Sequence, residues 1–523
     1  MGSFQSKPAA NAKARAEPAG LETRTSDEYL RVRGDKITLR EEEVILKGAA
    51  IGGWMNMENF ITGYTGHEHQ LRAAMKDALG EEKYEYFFDK FLQYFFQEED
   101  AKFFASLGLN CIRIPVNYHH FEDDMNPRVF KKEGLKHLDR VVDICAKHGI
   151  YTVIDLHAAP GGQNFDWHSD NATHKALFYD HKDFQDRTIL IWEHLARHYK
   201  NNTWVAGYNP LNEPTDEKHV RLISFYERVE KAIRAIDPNH ILFLDTFASD
   251  FSHFDKPLPN SVYTCHDYSD YGFPNPPEPY TGSKEQVALH QRSFEDKTAY
   301  MRKHKGPIWV GEWGPVYQNA NDGIPDWEKI NDTRFEVLKL QLGIFGDAGA
   351  SWSIWLYKDI GFQGMVYAAE DTAYVKLLKD FLRKKRSLAA DKWGADDTPV
   401  RALFTPLEQW LESACPSFKN RYPAPTAGGV NSSWKIGNHV SRLMRNILLS
   451  EELVLEFASV FKGKSYAELD ELAKSFEFAQ CVQRERLNQI LKADSKRTDH
   501  VDEKAQARSS GQQVWNWSEK TIV

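Results

Sequence analysis

Two glutamates of this chain follow directly on apolar runs that are typical of buried β-strands. Glu213 comes after the run 205–209, and Glu312 comes after the run 308–311. Burying a carboxylate at the tip of a strand costs free energy, so its presence there indicates a functional role. Two such groups on separate strands are what glycosidic bond cleavage requires, because one donates a proton to the leaving oxygen while the other, ionised, attacks or stabilises the sugar cation.

The elements that would position these glutamates are eight apolar runs that alternate with amphipathic segments. The predicted strands are Ala49–Gly52, Asn110–Ile114, Tyr151–Leu156, Val205–Asn209, Ile241–Asp245, Val262–His266, Ile308–Gly311 and Ser351–Trp355. This alternation predicts a (β/α)8 TIM barrel with its active site at the C-terminal strand ends, where both glutamates fall. An open doubly wound sheet is the alternative, but Gly-Gly-Trp at 52–54 is not the glycine-rich phosphate loop that normally follows its first strand.

The same pattern divides the chain into segments. We predict a disordered N-terminal tail over 1–28, the catalytic barrel over 29–385, an α-helical extension over 386–491 and a mobile C-terminal tail over 492–523. The first βα loop, 54–94, is unusually long, and long loops on this face of a barrel usually shape a binding site.

The extension contains helical signals and no predicted strand. Apolar residues recur at helical spacing at Ile436, Val440, Leu443 and Ile447. Ser465 with Glu468 three residues later forms the capping-box pattern that opens a helix. We therefore expect helices packed on the barrel, with a purpose that the sequence does not reveal.

Composition limits the classes of function. A net charge of −9 argues against a nucleic-acid surface. The many aromatic residues, 14 Trp, 22 Tyr and 31 Phe, fit a large aromatic core, and some of them fit platforms on which sugar rings stack. The five cysteines are odd in number and have no metal-type spacing, which is typical of small buried groups in a reducing compartment.

The N-terminus bears on location. It has no apolar core of a signal peptide, and no run of 18 apolar residues occurs in the chain, so we expect a cytoplasmic protein that is not secreted by a classical signal peptide. Met1, Gly2 and Ser6 fit the myristoylation pattern, and a single acyl chain on Gly2 would give weak, reversible membrane association. The alternative is a plain tail that begins Met-Gly by chance.

The barrel segment resembles glycoside hydrolase family 5 over roughly residues 48–360. The resemblance is closest to the exo-β-1,3-glucanase and β-glucosidase-like members. The family's Asn-Glu-Pro signature matches Asn212, Glu213 and Pro214. It implies that Glu213 is the acid/base and that Glu312, in Val-Gly-Glu-Trp, is the nucleophile.

Further positions match the family one at a time. The resemblance implies that Arg113 holds the nucleophile, that His157 faces the sugar, that Asn212 contacts the sugar 2-hydroxyl, that His266 and Tyr268 lie beside the carboxylates, and that Trp355 lies under the sugar. Taken singly, Arg113 fits a structural salt bridge and each histidine fits a satisfied core residue equally well. Glu58, in the long loop, fits a sugar-binding acid of a terminal subsite as well as a surface acid.

Electrostatics give the two glutamates opposite tasks. A retaining mechanism needs carboxyl groups roughly 5–5.5 Å apart. We expect Arg113 to lower the pKa of Glu312, and the charge of Glu312 to raise the pKa of Glu213. Tyr268 has a hydroxyl that can donate a hydrogen bond to Glu312.

Two histidine pairs invite a metal interpretation. His67 and His69, and His119 and His120, lack further ligands at metal-type spacing. We therefore predict no metal and no cofactor.

The leading hypothesis is a retaining β-glycosidase that hydrolyses a β-glucoside, of the exo-β-1,3-glucanase or β-glucosidase type. An alternative substrate is an intracellular glycolipid such as steryl glucoside or glucosylceramide, which membrane association would favour. A hypothesis of another class is a catalytically inactive carbohydrate-binding scaffold. The sequence leaves open exo or endo action, hydrolysis or transglycosylation, and the oligomeric state.

Overall fold

The computed structural model describes residues 28–497, apart from 174, 217, 219, 247–248, 321–322, 392 and 417–435. Gly2, the rest of the predicted N-terminal tail up to residue 27, and residues 498–523 of the predicted C-terminal tail lie outside the described residues. Within the described residues, no helix combines the length and the apolar character needed to cross a membrane.

A small antiparallel sheet precedes the barrel. Its strands are β1 (Leu30–Arg33), β2 (Lys36–Leu39) and β3 (Glu42–Glu43). Leu30 and Ile37 pack in one buried cluster with Ile241 and Trp309, which lie at or near the starts of barrel strands. This sheet therefore covers the N-terminal end of the barrel, opposite the predicted active site.

Eight parallel strands close into a barrel, so the predicted TIM barrel is confirmed. The strands are β4 (Lys47–Ala50), β5 (Cys111–Asn117), β6 (Tyr151–Ala158), β7 (Val205–Asn209), β8 (Ile241–Leu244), β9 (Ser261–His266), β10 (Ile308–Glu312) and β11 (Ser351–Ile354), and β11 pairs with β4 to close the ring. These runs are apolar throughout because both faces of each strand are buried, one in the barrel interior and one under helices.

Helices follow most of the strands, and those outside the first βα connection lie where apolar spacing predicted them. Their bounds are Asn59–Thr62, Glu68–Leu79, Glu81–Phe95, Glu98–Ser106, Lys136–Lys147, Lys182–Tyr199, Val220–Arg234, Lys284–Lys297, Ala299–His304, Trp327–Asp347 and Ala373–Ser387. In Lys136–Lys147, for example, Leu138, Val142 and Cys145 form the buried stripe. Such a stripe faces the barrel while the charged face meets solvent.

The first βα connection is largely helical and not a loop. Its helices pack against the C-terminal extension through aromatic rings, with Phe91 and Phe476 ring centroids 5.0 Å apart and Phe87 and Phe461 centroids 5.5 Å apart. Ring pairs at this separation add to the burial of apolar surface. The insertion and the extension therefore form one helical layer beside the barrel.

The described part of the extension is helical, with one exception. Its helical segments are Thr398–Ala414, Ile436–Ser441, Arg442–Leu449, Ser450–Ser459, Tyr466–Lys474 and Glu485–Ser495. The Ser465 side chain accepts a hydrogen bond from the backbone of Glu468, as the capping-box pattern predicted. The exception is β14 (Cys481–Gln483), which pairs with β13 (Val366–Ala368) in a second small sheet that β12 (Lys358–Asp359) completes.

Two local expectations for the extension differ from the structure. Leu443, predicted on the apolar stripe, is 43% exposed, while Arg442 and Arg445 are buried. The segment Arg442–Leu449 is π-helical, and its wider turn moves the buried face away from 3.6-residue spacing. The predicted tail from 492 begins inside the last helix, where Asp494 Oδ2 lies 3.0 Å from Lys47 Nζ of β4.

Lys358 joins the barrel to the helical layer. Its buried ammonium donates to Asp100 Oδ1 at 2.6 Å and to the carbonyl oxygens of Phe95 and Phe476, both at 2.8 Å. Removing one partner of a buried ion pair leaves an uncompensated charge. Each of the three partners comes from a different part of the layer, so this one cation stabilises their packing together.

We expect Lys358→Met to lower the free energy of unfolding by roughly 3–5 kcal/mol, because Asp100 then stays buried without its cation. Urea titration monitored by tryptophan fluorescence measures this change. Lys384→Met is the matched control, since its partner Glu456 is exposed and such pairs contribute about 0–1 kcal/mol. Equal losses in the two variants would contradict the assigned role of Lys358.

Candidate active site

The two glutamates face each other at the C-terminal mouth of the barrel. Glu312 is the last residue of β10, and Glu213 follows β7. Their nearest carboxylate oxygens lie within 4.8 Å of each other. This separation matches the carboxyl spacing of retaining rather than inverting glycosidases.

Glu213 is held in an uncommon backbone conformation. Its φ angle is 42°, in the left-handed region that few residues other than glycine adopt. Its N–H donates to Asp245 Oδ2 at 2.8 Å. Asp245, directly after β8, thus fixes the backbone that carries Glu213, the acid/base candidate. A carboxylate at a strand tip is the signal that indicates Glu213 and Glu312 in the sequence, and the same signal could have indicated Asp245.

Glu312 accepts hydrogen bonds on both oxygens. Arg113 Nη1 donates to Oε1 at 2.6 Å and the Tyr268 hydroxyl donates to Oε2 at 2.9 Å. Burial raises the pKa of Glu312, but the charges of His266 and Arg113 outweigh it, so the pKa lies below its ordinary value. The geometry therefore keeps Glu312 ionised and fixed, as a nucleophile requires.

Arg113 is oriented by further acceptors beneath the glutamate. It donates to Asn212 Oδ1 at 2.6 Å and lies 3.0 Å from Asp155 Oδ2. Asp155 also contacts His157 Nδ1 at 2.7 Å. Asp155 precedes His157 by two residues on β6, so both side chains lie on the same face of the strand, and this spacing is the signal by which sequence reasoning could have found it.

Glu213 is surrounded by histidines. His266 Nδ1 lies 2.6 Å from Glu213 Oε1, and His168 Nε2 lies 3.4 Å from Oε2. On the far side of its ring, His266 Nε2 lies 3.4 Å from Asp245 Oδ2. His168, in the loop after β6, carries no sequence signal that marks it as part of the site.

The expectation that Glu312 raises the pKa of Glu213 is wrong for the free enzyme. Burial raises that pKa, but the hydrogen bond and charge of His266 outweigh burial and leave it below its ordinary value. Burial lowers the pKa of His266, yet the charges of Glu312 and Asp245 and the bond to Glu213 bring it up to about 9. The pair of Glu213 and His266 therefore carries its proton on His266, one hydrogen bond from Glu213.

We expect loss of the proton on His266 to set the alkaline limit of activity. The His266 pKa of about 9 lies above its ordinary 6.5, so the pair keeps its proton below pH 9 and loses it as the pH rises through 9. We expect kcat/KM to fall with an apparent pKa near 9, measured with an aryl β-glycoside between pH 4 and 10. In His266→Gln the alkaline limb should move to lower pH, and an unmoved limb would contradict proton storage on His266.

Three further predicted residues, Glu58, His157 and Trp355, line the same cavity as the two glutamates. The rings of His157 and Trp355 are parallel, with centroids 5.4 Å apart and an interplanar angle of 7°. Glu58 is buried, and Trp167 Nε1 donates to its Oε2 at 2.9 Å. The cavity holds about 730 Å³, within the size range of sites for small molecules.

Glu58 has one oxygen left for a ligand. Its Oε1 makes no hydrogen bond within the described residues and lies 3.7 Å from His157 Nε2. Burial and the charge of Glu312 raise the pKa of Glu58 well above its ordinary value. A protonated carboxyl at this position can donate a hydrogen bond to a hydroxyl of a bound ligand. Glu58 lies in the cavity wall and not on the outer surface.

One group of side chains in the described residues has the geometry to hold a metal ion. It comprises Glu213, His266 and Glu312, whose ligand atoms lie within 4.8 Å of one another. Their hydrogen bonds to each other and the Arg113 guanidinium on Glu312 compete with a cation for the same oxygens. His69 bonds to Asp170 and His67 to Gln70 instead. Absence of a metal stays a prediction.

Comparisons with known proteins agree with this geometry. Residues 80–361 match the cellulase model of glycosyl hydrolase family 5. A protein named β-xylosidase from Phanerodontia chrysosporium is 58% identical over 470 residues, which are 88% of this chain and 97% of that protein. A probable glucan 1,3-β-glucosidase A from Aspergillus clavatus is 23% identical over 63% of this chain and 86% of its own length.

Among solved structures, Cel5A of Thermotoga maritima in complex with cellobiose shares 21% identity with this chain. The match covers 52% of this chain and 85% of that one, with a TM-score of 0.42.

Proposed function

The chain belongs to glycosyl hydrolase family 5, and on that premise we propose that it is a retaining β-glycosidase. The observation that carries the proposal is the pair of carboxylates within 4.8 Å, one held by Arg113 and Tyr268 and the other by His266. Against burial, the charges of His266 and Arg113 lower the pKa of Glu312, which suits a nucleophile. Glu213, whose pKa is also lowered, has access to a proton through its hydrogen bond to His266, which suits an acid/base.

In the first step, Glu312 attacks the anomeric carbon and forms a covalent glycosyl ester. At the same time Glu213 passes a proton, taken from His266, to the leaving oxygen, so the bond between that oxygen and the sugar breaks. In the second step, Glu213 takes a proton from water, the water oxygen bonds to the anomeric carbon, and the ester to Glu312 breaks. Two inversions give net retention of configuration.

For the sugar, we propose a terminal β-linked residue with the ring hydroxyl arrangement of glucose. The resemblance to β-glucosidase-like members favours a β-glucoside, while the 58% identical relative named β-xylosidase favours a β-xyloside. The two agree in ring configuration, because xylose is glucose without the hydroxymethyl group. Glu58, buried among aromatic rings beside His157, supports a closed terminal subsite and hence exo action.

The test is turnover of matched aryl β-xyloside and aryl β-glucoside, followed by xylo- and laminari-oligosaccharides. Retention is measured by NMR from the anomer that first appears. A preference for the xyloside would place the sugar with the fungal relative, and a preference for the glucoside would place it with the glucanase-like members. An inverted product, or no turnover of any β-glycoside, would overturn the proposal.

Three alternatives are tested as arms of the same experiment. Steryl glucoside and glucosylceramide, presented in vesicles, test the glycolipid substrate, which goes with the proposal of a cytoplasmic protein that associates weakly with membranes through Gly2. A high concentration of acceptor sugar tests transglycosylation. Sugar binding without turnover would favour the inactive scaffold, although both glutamates required for chemistry are present.

A further inference from the structure

The segment that follows the barrel reaches the cavity on two sides. Trp393 and Arg442 both lie in the cavity wall with Glu213 and Glu312. They come from residues after the last barrel helix, Ala373–Ser387, in the segment predicted as a separate helical extension. Trp393 contacts Tyr268, which donates to Glu312. Arg442 contacts Asp166, which precedes by two residues His168, a neighbour of Glu213.

On the nucleophile side, the contact is aromatic. The Trp393 ring meets the Tyr268 ring edge-on, with centroids 4.7 Å apart and an interplanar angle of 77°. Trp393 makes a similar contact with Phe273 at 4.7 Å. Tyr268 is the residue whose hydroxyl donates to Glu312 at 2.9 Å. Trp393 therefore packs directly behind the side chain that holds the nucleophile.

On the acid/base side, the contact is an ion pair. Arg442 donates through both Nε and Nη2 to the two oxygens of Asp166, the latter bond at 2.9 Å. Arg442 is 2% and Asp166 6% exposed, and the guanidinium also lies over the Phe165 ring at 4.2 Å. A two-bond pair of this kind fixes direction as well as distance.

Asp166 lines the cavity together with the next two residues of this loop, Trp167 and His168. Trp167 donates to Glu58, and His168 lies 3.4 Å from Glu213. The described residues of this loop contain little regular structure, namely two short 3₁₀ turns over Trp167–Ser169 and Leu177–Tyr179. Its position therefore depends on side-chain contacts, of which the pair with Arg442 crosses from the extension.

We propose that Arg442 is a positioning residue for the glycosidase site: by holding Asp166 it sets the loop that presents Trp167 to the sugar and His168 to Glu213. The inference rests on the proposed glycosidase function. If Arg442 has this role, the extension is part of the active site, and Trp393 is its second contact with that site. The barrel residues alone would then form an incomplete enzyme.

The test compares Arg442→Lys, which keeps the charge but loses the two-bond geometry, with the double variant Arg442→Gln/Asp166→Asn, which leaves no unpaired charge. Arg486→Gln is the matched control, because Arg486 also joins the extension to the barrel, at Asp332, but on the exposed surface away from the cavity. Kinetic constants for the preferred aryl glycoside are measured across pH, with circular dichroism and melting temperature as checks of folding.

We expect both Arg442 variants to raise KM and to lower kcat/KM at least tenfold, with a shifted alkaline limb, while Arg486→Gln stays within twofold of wild type. A merely structural role would lower the active fraction and hence apparent kcat, with KM and the pH profile unchanged, and that result would overturn the inference. So would folded Arg442 variants with wild-type constants. A wild-type protein that turns over no glycoside would instead overturn the proposed function and this inference with it.

Discussion

Replacing Glu312 with Gln is expected to reduce the turnover of every β-glycoside by roughly 10⁴- to 10⁶-fold, the scale of loss when a covalent nucleophile is removed. The amide is a poor nucleophile, and the loss does not depend on the leaving group, because no covalent intermediate forms. The preferred aryl glycoside, assayed with stopped-flow and overnight time points, covers this range. The amide oxygen can still accept from Arg113, and the amide NH2 can donate to the Tyr268 hydroxyl oxygen, so folding should be retained.

The control for this variant is Glu99→Gln, which removes an exposed carboxylate far from the cavity. A second control tests whether Glu312 is the nucleophile, and not only whether its replacement lowers activity. In Glu312→Gly the vacated space admits azide to the face that Glu312 attacked, so the product should be the α-glycosyl azide. Wild-type turnover by Glu312→Gln, or a β-azide from Glu312→Gly, would contradict the assignment of Glu312 as nucleophile.

Replacing Glu213 with Gln is expected to divide substrates by their leaving groups. Glycosides with alkyl or sugar leaving groups should lose roughly 10²- to 10⁴-fold in kcat/KM, because the leaving oxygen no longer receives a proton. Dinitrophenyl glycosides need no such proton and should keep near wild-type kcat/KM. Their second step lacks a general base, so a burst of one phenolate per enzyme should precede slow turnover.

This pattern is measured as a plot of log kcat/KM against leaving-group pKa for wild type and variant. The variant should give the steeper slope, and mass spectrometry during the burst should find the glycosyl ester on Glu312. Equal losses for all leaving groups would contradict the acid/base role and would reduce Glu213 to a support for its neighbours.

The sequence predicts the barrel and most of its catalytic mouth for a simple reason. Eight parallel strands bring their C-terminal ends together, so Glu213 and Glu312 must meet although one follows the fourth barrel strand and the other ends the seventh. The family resemblance, and not periodicity, is what indicates Arg113. Periodicity shows where strands end, and strand ends are where the site lies. Asp245 follows from the same rule, and Asp155 follows from its two-residue spacing to His157 on β6.

Other parts of the site have no such signal. Trp167 and His168 lie in an irregular loop, and the partner that holds this loop, Arg442, is 276 residues away from Asp166. The apolar spacing of its segment predicts an ordinary helix with an apolar stripe. In the structure the segment is π-helical, and Arg442 lies on its buried side. The pKa of Glu213 likewise cannot be predicted from the sequence, because it depends on the distance between Glu213 and His266 in the folded chain.

The ion pair between Lys47 and Asp494 bears on the order of events during synthesis. Lys47 opens the first barrel strand, and its partner lies in the last described helix, 447 residues later. Arg442, which holds the loop beside Glu213, is also made late. A ribosome-bound chain that stops short of these residues should carry both glutamates yet lack the pair of Arg442 and Asp166, so we expect at least a tenfold loss of kcat/KM. The contact of the first barrel strand with Asp494 forms only after that residue has been translated.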